Sequence, residues 1–356
     1  MSSVKAVLVL EDGAVFEGLP FGKVGEASGE AVFYTGVVGY QELITNPSYR
    51  GTLAVLTYPI IGAYGVNRED DESPAAHVGG LIIREYSPYY SNWRATGSLE
   101  EYLENRGIVG IREIDTRALT VHLRDHGEMR GSISSEDTDP QTLARKLKGA
   151  PSPYEQDLAG QVTWAGLRQA AGQEKCRIVA LNLGIKNSLL AQLAALGCTV
   201  DVLPCTASAV DILAKKPRGV LVTGGPGDPR AADYAVRTVK SLLGKAPLLG
   251  IGLGHQVLAL ALGGKVGRMK VGHRGVNHPV KNIVDGIAQI TVQHHSFAVD
   301  EGALPKSVEV THKSLNDDSV EGLRSKEAAA SSVQFHPCPD ETGRPHELLR
   351  KFCQID

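Results

Sequence analysis

The segment 247–256 constrains the fold of this chain more than any other stretch of its sequence. Its short apolar run is typical of a buried strand, a glycine-dense turn follows, and residues 257–262 have the pattern of a packed helix that ends at Gly263. A strand that turns directly into a helix places one side chain, on a strained backbone, where the helix dipole and N–H groups activate a thiolate and stabilise an oxyanion. The tip of this elbow is Gly252. The segment therefore predicts the backbone of a nucleophile site without the nucleophile.

From residue 176 onward, predicted strands and helices alternate along the chain. The predicted strands lie at 177–183, 199–203, 219–222 and 248–251, and the predicted helices at 187–196, 207–214 and 231–243. This alternation predicts a doubly wound parallel sheet covered by helices on both faces. In such sheets ligands bind beyond the carboxyl ends of the strands, where the loop 224–229 and the elbow fall.

The first 150 residues instead mix short β-rich runs with two helices, the pattern of an α+β domain. One helix is predicted at 99–105 and the other at 115–126, with Asp115 as its N-cap and Gly127 as its end. Two prolines and few apolar residues mark a linker around 149–157. The sequence therefore predicts an N-terminal α+β domain at 1–150, a linker at 151–175 and an α/β domain at 176–356.

Composition excludes several classes of function. A net charge of -3 leaves no basic footprint for nucleic acid, and no apolar run approaches the ~20 residues that span a bilayer. The cysteines are odd in number and show no paired spacing, which predicts reduced thiols in a cytoplasm rather than a disulfide framework or a structural zinc site. They are Cys176, Cys198, Cys205, Cys338 and Cys353.

Segments spread along the chain share one family pattern. They are residues 35–49, 56–62, 91–94, 110–119, 224–229 and 272–280. Together with the elbow Gly-Ile-Gly-Leu-Gly-His-Gln, they resemble the small, glutamine-amidotransferase subunit of carbamoyl-phosphate synthase, whose elbow has Cys in place of Gly252. Other amidotransferases carry only the C-terminal half. The resemblance implies that residues 176–356 form a class I glutamine amidotransferase domain.

The resemblance also implies which residues form the site. His336 matches the catalytic histidine, which takes the thiol proton and later protonates the leaving ammonia, while Cys338 stands where the family has the Glu that orients the imidazole. A thiol does not hold an imidazolium as a carboxylate does. His294 and Ser296 replace a smaller Asn and Gly of the family. The positions expected to bind glutamine are Ser48, Gly225, Gly227, Leu253, Gln256, His294, Ser296 and Phe297.

In the family this subunit hydrolyses glutamine and passes ammonia to a large subunit, which uses ATP, Mg²⁺ and bicarbonate to make carbamoyl phosphate for pyrimidine and arginine synthesis. No cofactor is expected on this chain, and its glutaminase step is expected to be lost. Three hypotheses stay open. In the first, the complex makes carbamoyl phosphate from free ammonia. In the second, the chain is a non-catalytic structural or regulatory subunit. In the third, Gly252 is a single change in an active enzyme, but the further changes at positions 294, 296 and 338 argue against this.

Two other interpretations of these residues are weaker. The glycines at 250, 252 and 254 have the wrong spacing for a dinucleotide fingerprint, and no acidic residue follows about 20 positions on. The second interpretation is a metal site, because residues of types that bind zinc are expected near one pocket. They are His294, His295, His336 and Cys338, and their spacing in the sequence is only a weak signal for a metal site. No metal is expected.

Overall fold

The computed structural model describes residues 5–169 and 171–354. The chain divides into two compact units, one of Met1–Gln156 with Lys270–Arg274, the other of Asp157–Met269 with Gly275–Asp356. The predicted domains 1–150 and 176–356 also include residues 1–4 and 355–356, and the predicted linker includes residue 170. These lie outside the described residues.

In the described residues of the N-terminal unit, seven strands form a closed barrel. The strands of this unit are β1 Ala6–Leu10, β2 Val15–Gly22, β3 Glu26–Tyr34, β4 Thr52–Leu56, β5 Ile60–Ile61, β6 Gly80–Ile82, β7 Glu85–Tyr86, β8 Val109–Arg112 and β9 Met129–Ser134. Barrel order is β1-β2-β8-β6-β4-β3-β9, and β5 pairs with β7. Along a barrel strand, every second residue faces the interior. Leu8, Leu53 and Ile133, which lie on three different strands, are fully buried in one apolar cluster.

Helices accompany this barrel, so the unit is α+β as predicted. They are α1 Tyr40–Thr45, α2 Leu99–Arg106, α3 Thr116–His126 and α4 Pro140–Gly149, with 3-10 turns at Pro47–Tyr49 and Pro153–Glu155. The carboxylate of Asp115 accepts the N–H of Ala118 at 2.9 Å and caps α3, and the helix ends at Gly127, whose φ is 100°. Local capping chemistry therefore sets both ends of α3.

A segment from late in the chain completes the N-terminal unit. Within it, the Gly272 N–H donates to Glu128 Oε1 at 3.0 Å, and the guanidinium of Arg274 pairs with the same carboxylate. The side chains of Arg274 and Glu128 are 5% and 1% exposed. The sequence analysis placed the end of the first domain at residue 150 and did not predict that the chain returns to it. An ion pair between residues so far apart leaves no local pattern in the sequence.

One sheet, ten-stranded over the described residues, forms the centre of the C-terminal unit. Its strands are β10 Gly166–Arg168, β11 Cys176–Asn182, β12 Cys198–Pro204, β13 Gly219–Val222, β14 Leu248–Ile251, β15 Lys265–Asn282, β16 Ala288–Asp300, β17 Glu309–Ser314, β18 Val320–Ser325 and β19 Ala330–Val333. Their order is β10-β12-β11-β13-β14-β19-β18-β16-β15-β17. The run β12-β11-β13-β14-β19 is parallel, whereas β10 and β18 pair antiparallel at its two edges.

Helices cover both faces of the parallel strands, which makes this unit doubly wound. The helices are α5 Leu158–Val162, α6 Asn187–Ala195, α7 Ala209–Ala214, α8 Asp233–Leu242, α9 Leu253–Ala261 and α10 Glu347–Cys353, with a 3-10 turn at Glu301–Ala303. Val179 and Leu181 of β11 pack with α8 and α9, and the alternate residues Ile178 and Ala180 pack with α6 and α10. No helix in the described part of the chain is both long and apolar enough to cross a bilayer.

The segment 151–175 differs from the predicted linker. Leu158, Ala159 and Val162 of α5 are buried, and β10 pairs antiparallel with β12. The prolines at 151 and 153 interrupt regular secondary structure, but the apolar residues that follow them belong to the C-terminal unit and are buried there. The chain between the two cores is therefore largely structured.

Candidate active site

The elbow lies between β14 and α9. Gly252 has φ 57° and ψ -115°, and its N–H donates to the carbonyl of Val333 at 2.9 Å. The Gly252 carbonyl accepts the N–H groups of His255 and Gln256 at 3.0 and 3.3 Å, so α9 begins directly after the tip, at Leu253. This start is four residues earlier than the predicted helix. The tip thus lies at the uncapped N-terminus of a nine-residue helix.

Close backbone approaches require the glycines on either side of the tip. A Cβ on Gly254 would lie 2.0 Å from the carbonyl oxygen of Val222, and one on Gly250 would lie 2.5 Å from the oxygen of Gly254. At Gly252 the nearest atom would be the Cα of Gly224, at 3.4 Å. Position 252 therefore has room for a side chain, and only its positive φ disfavours one.

The loop after β13 packs against this elbow. A Cβ on Gly225 would lie 2.1 Å from the carbonyl oxygen of Leu183 and 3.1 Å from the side chain of Leu253. Gly227 has φ 89° and lies beside Leu158 of α5. Two of the predicted glutamine-binding positions, Gly225 and Leu253, therefore lie against each other where the parallel strands end, and the packing at 225 tolerates only glycine.

A second group of predicted positions is joined by side-chain hydrogen bonds. Gln256 Nε2 donates to the carbonyl of Phe297 at 2.9 Å and to Gln334 Oε1 at 3.0 Å. These contacts tie the first turn of α9 to β16 and to the end of β19. Ser48, by contrast, belongs to the N-terminal unit, in the turn Pro47–Tyr49, where its N–H donates to Asn46 Oδ1 at 3.0 Å.

Buried polar groups hold the part of β16 that carries His294 and Ser296. His295 Nδ1 lies 2.8 Å from the carbonyl oxygen of Phe297, and its Nε2 lies 3.8 Å from the buried carboxylate of Glu321. Ser296 is 4% exposed and His294 is half-buried. His294 and Ser296, which are larger than the Asn and Gly of the family, therefore lie on a strand that buried polar contacts hold in place.

His336 follows β19 and is joined to β16 by its backbone N–H, which donates to the carbonyl of Val292 at 2.9 Å. Its Nε2 lies 3.4 Å from the hydroxyl oxygen of Ser188 on α6. Burial lowers the pKa of His336 well below its usual value, and the charges of Lys186 and His346 lower it further. The imidazole is therefore neutral at neutral pH, and its protonated form is disfavoured.

Cys338 occupies the position of the missing acid. Its Sγ lies 3.6 Å from the carbonyl oxygen of His336. Both residues line a cavity of about 350 Å³ together with Thr291 and His346. Asp340 and Glu347 line the same cavity, but the charges that shift the pKa of His336 are those of Lys186 and His346. The site thus keeps its imidazole, whereas position 338 lacks the carboxylate of the family and position 252 lacks the nucleophile.

The sequence interpretation missed Ser188, Lys186 and Gln334. Lys186 and Ser188 follow the carboxyl end of β11, so the rule that ligands bind beyond strand ends could have indicated them. Gln334 precedes His336 by two residues. In the part of the chain that the structure describes, no three of His294, His295, His336 and Cys338 bring ligand atoms within 4.8 Å of one another.

Comparison with known proteins gives matches over both units. The family model described as carbamoyl-phosphate synthase small chain, CPSase domain, matches residues 8–133. The one described as glutamine amidotransferase class-I matches residues 179–355. A solved structure of a glutamine amidotransferase from Thermotoga maritima aligns with a TM-score of 0.37 at 21% identity, covering 46% of this chain and 76% of that one. Family membership does not depend on that likeness.

Curated relatives match over almost the whole length. The carbamoyl phosphate synthase small chain of Syntrophotalea carbinolica is 46% identical, covering 99% of this chain and 98% of the relative. The small chain of Chlorobaculum tepidum is 42% identical, covering 100% and 98%. With both family models matched and identity of this extent, the chain belongs to the carbamoyl-phosphate synthase small chain family.

Proposed function

We propose that this chain is the small subunit of a carbamoyl-phosphate synthase that no longer hydrolyses glutamine, so that the enzyme uses free ammonia. The observation that carries this proposal is Gly252 at the tip of an intact elbow. Without a thiol at the tip, no glutamyl thioester forms there. Loss of a triad nucleophile typically lowers the rate ~10⁶-fold, which corresponds to about 8 kcal/mol of barrier.

The surroundings of Gly252 support the same proposal. His336 retains the form of a general base, but burial and the charges of Lys186 and His346 disfavour the imidazolium that a reaction would form. Such a cation is unfavourable in a buried site. Ser188 lies near His336 Nε2, yet it stands in the first turn of α6 and not at the elbow tip. The hydroxyl of Ser188 therefore does not replace the missing thiol.

The partner in this proposal is a large subunit that binds ATP, Mg²⁺ and bicarbonate in the cytoplasm. This chain would contribute its folded surface to that subunit, and the complex would supply carbamoyl phosphate for pyrimidine and arginine synthesis. The other possible role is a purely structural or regulatory one. The two roles differ in whether ammonium-dependent synthesis needs this chain.

The test is to reconstitute the complex and measure carbamoyl phosphate formation with glutamine and, separately, with ammonium chloride. We expect synthesis with ammonium and none with glutamine above background. His336→Ala and Ser188→Ala are matched controls, because glutamine-dependent activity that either change removes would come from this site and would contradict the proposal. If the large subunit alone gives the same rate with ammonium, the structural or regulatory role is the correct one.

A further inference from the structure

Three cysteines gather at the start of the parallel sheet. Cys176 and Cys198 are the first residues of β11 and β12 and are directly paired in the parallel ladder. Cys353 is the last residue of α10, which packs against the same face. The three sulfur atoms lie within 4.8 Å of one another, and all three residues are buried. The scattered spacing in the sequence did not predict this cluster, because strand pairing and helix packing bring the thiols together.

We propose that Cys176, Cys198 and Cys353 form a binding site for a soft, thiophilic metal ion. Thiolates are the ligands that such ions prefer. Three sulfurs at ~2.3 Å from one ion stand about 4 Å apart in a plane, so the observed cluster needs little rearrangement. Within residues 5–169 and 171–354 no fourth His, Cys, Asp or Glu ligand atom joins the group. This favours a three-coordinate ion over a tetrahedral structural zinc.

A cationic side chain lies beside the cluster. Three thiolates around a divalent ion leave one negative charge, which is costly to bury unless it is compensated. The guanidinium of Arg218 donates to Gln354 Oε1 at 2.7 Å, next to Cys353. Arg218 is therefore placed to balance the charge of a loaded site.

The cluster is separate from the elbow within the C-terminal unit. Cys176 and Cys198 open their strands, whereas the elbow follows the carboxyl end of β14, and these strands are parallel. The two sites therefore lie at opposite ends of the parallel strands. Residues 171–175, which lead into β11, are exposed and leave Cys176 close to solvent. An ion can thus reach the thiols without passing through the candidate active site.

Cadmium titration of the full chain, kept reduced with a phosphine, tests the proposal. We expect saturable binding of one Cd²⁺ per chain, seen as thiolate-to-metal ultraviolet absorption and counted by equilibrium dialysis. Cys176→Ala, Cys198→Ala and Cys353→Ala should each lose this binding. Cys205→Ala is the matched control, because Cys205 is also buried but lies in the other core cluster, and this variant should bind like the unmodified chain.

Thermal unfolding gives a second measurement in case a cluster variant folds poorly. Cd²⁺ should raise the melting temperature of the unmodified chain and of Cys205→Ala, since a ligand that binds only the folded state stabilises it. Arg218→Gln keeps all three thiols and should show a smaller rise. Absence of saturable binding, or binding that survives the three cluster substitutions, overturns the proposal. Neither result bears on glutaminase activity, whose candidate site lies at the other end of the parallel strands.

Discussion

Position 252 combines free space with an unfavourable backbone. A φ of 57° with ψ -115° is sparsely allowed for a residue with a side chain, at a cost of about 1–3 kcal/mol. Glycine avoids most of that cost, although it loses more entropy on folding. We therefore expect Gly252→Cys to lower the free energy of unfolding by about 1 kcal/mol. Urea denaturation measures this change, with the unfolding transition of each unit followed separately.

The matched variant for this measurement is Gly252→Ala. A Cβ at this position meets only ordinary contacts, the nearest at 3.4 Å, so backbone strain is the main cost of either substitution. The two variants should therefore lose nearly equal stability. If Gly252→Cys is as stable as the unmodified chain, the elbow is unstrained at its tip, and the absence of the thiol has no stabilising effect on the fold.

His336 offers a prediction about the missing acid. Burial and the charges of Lys186 and His346 lower its pKa well below its usual value. A carboxylate at position 338 would stabilise the imidazolium, so Cys338→Glu should raise the pKa of His336. NMR titration of the imidazole measures the shift, and Cys338→Gln is the uncharged control of similar size. A pKa that is the same in the Glu and Gln variants would show that position 338 does not face the imidazole.

At the level of elements, local signals predicted the alternating strands and helices of residues 177–262, but not β15 to β19 that follow them or the closure of the barrel. The strands β13 and β14 and the cap of α3 agree with the sequence prediction, because short apolar runs and an Asp before a helix depend on neighbouring residues alone. Barrel closure joins β3 to β9, which are far apart in the chain. Likewise, the sequence around α5 is typical of a linker, and only its packing in the core of the C-terminal unit identifies it as a helix. Contacts between residues far apart in the chain are therefore the part of the fold that local patterns did not predict.

The elbow as an element depends on close packing of its flanking glycines. Gly254→Ala would place a methyl group 2.0 Å from the carbonyl oxygen of Val222, so β13 or α9 would have to move. We expect a loss of about 3 kcal/mol of unfolding free energy, clearly more than for Gly252→Ala, with urea denaturation as the measurement. Equal losses in the two variants would mean that α9 shifts easily, and the elbow would not be the rigid support described above.

At the scale of the whole molecule, the chain returns late to complete its first unit. Glu128 binds the Gly272 N–H and the Arg274 guanidinium in a buried site. Glu128→Gln removes the carboxylate that pairs with this guanidinium, and breaking a buried ion pair typically costs about 3–5 kcal/mol. Thermal unfolding of the N-terminal unit should show this loss, whereas Glu17→Gln, at an exposed ion pair with Lys5, should be close to neutral. A small effect at Glu128 would mean that water reaches the pair.

The family resemblance marks only part of the candidate site. The structure brings Gly252, Gly225, Gln256 and Phe297 together because strand ends and the elbow converge by topology, and the role of the last three in binding glutamine stays a prediction. The approach of Ser188 to His336 depends on how α6 packs beside the sheet, which no spacing in the sequence records. The thiol cluster was missed for the same reason.

Restoration of glutaminase activity should require several substitutions at once. Gly252→Cys supplies the thiol but leaves Cys338 without a carboxylate, so we expect weak or absent glutamine hydrolysis from the single variant. Adding Cys338→Glu, His294→Asn and Ser296→Gly should raise the rate far beyond the product of the separate effects, since members of a catalytic triad act as a unit. Glutamine hydrolysis by the isolated chain is the measurement, with the same set lacking Gly252→Cys as control. Full activity from Gly252→Cys alone would show that the other three positions are harmless, and that a single change had silenced an otherwise competent site.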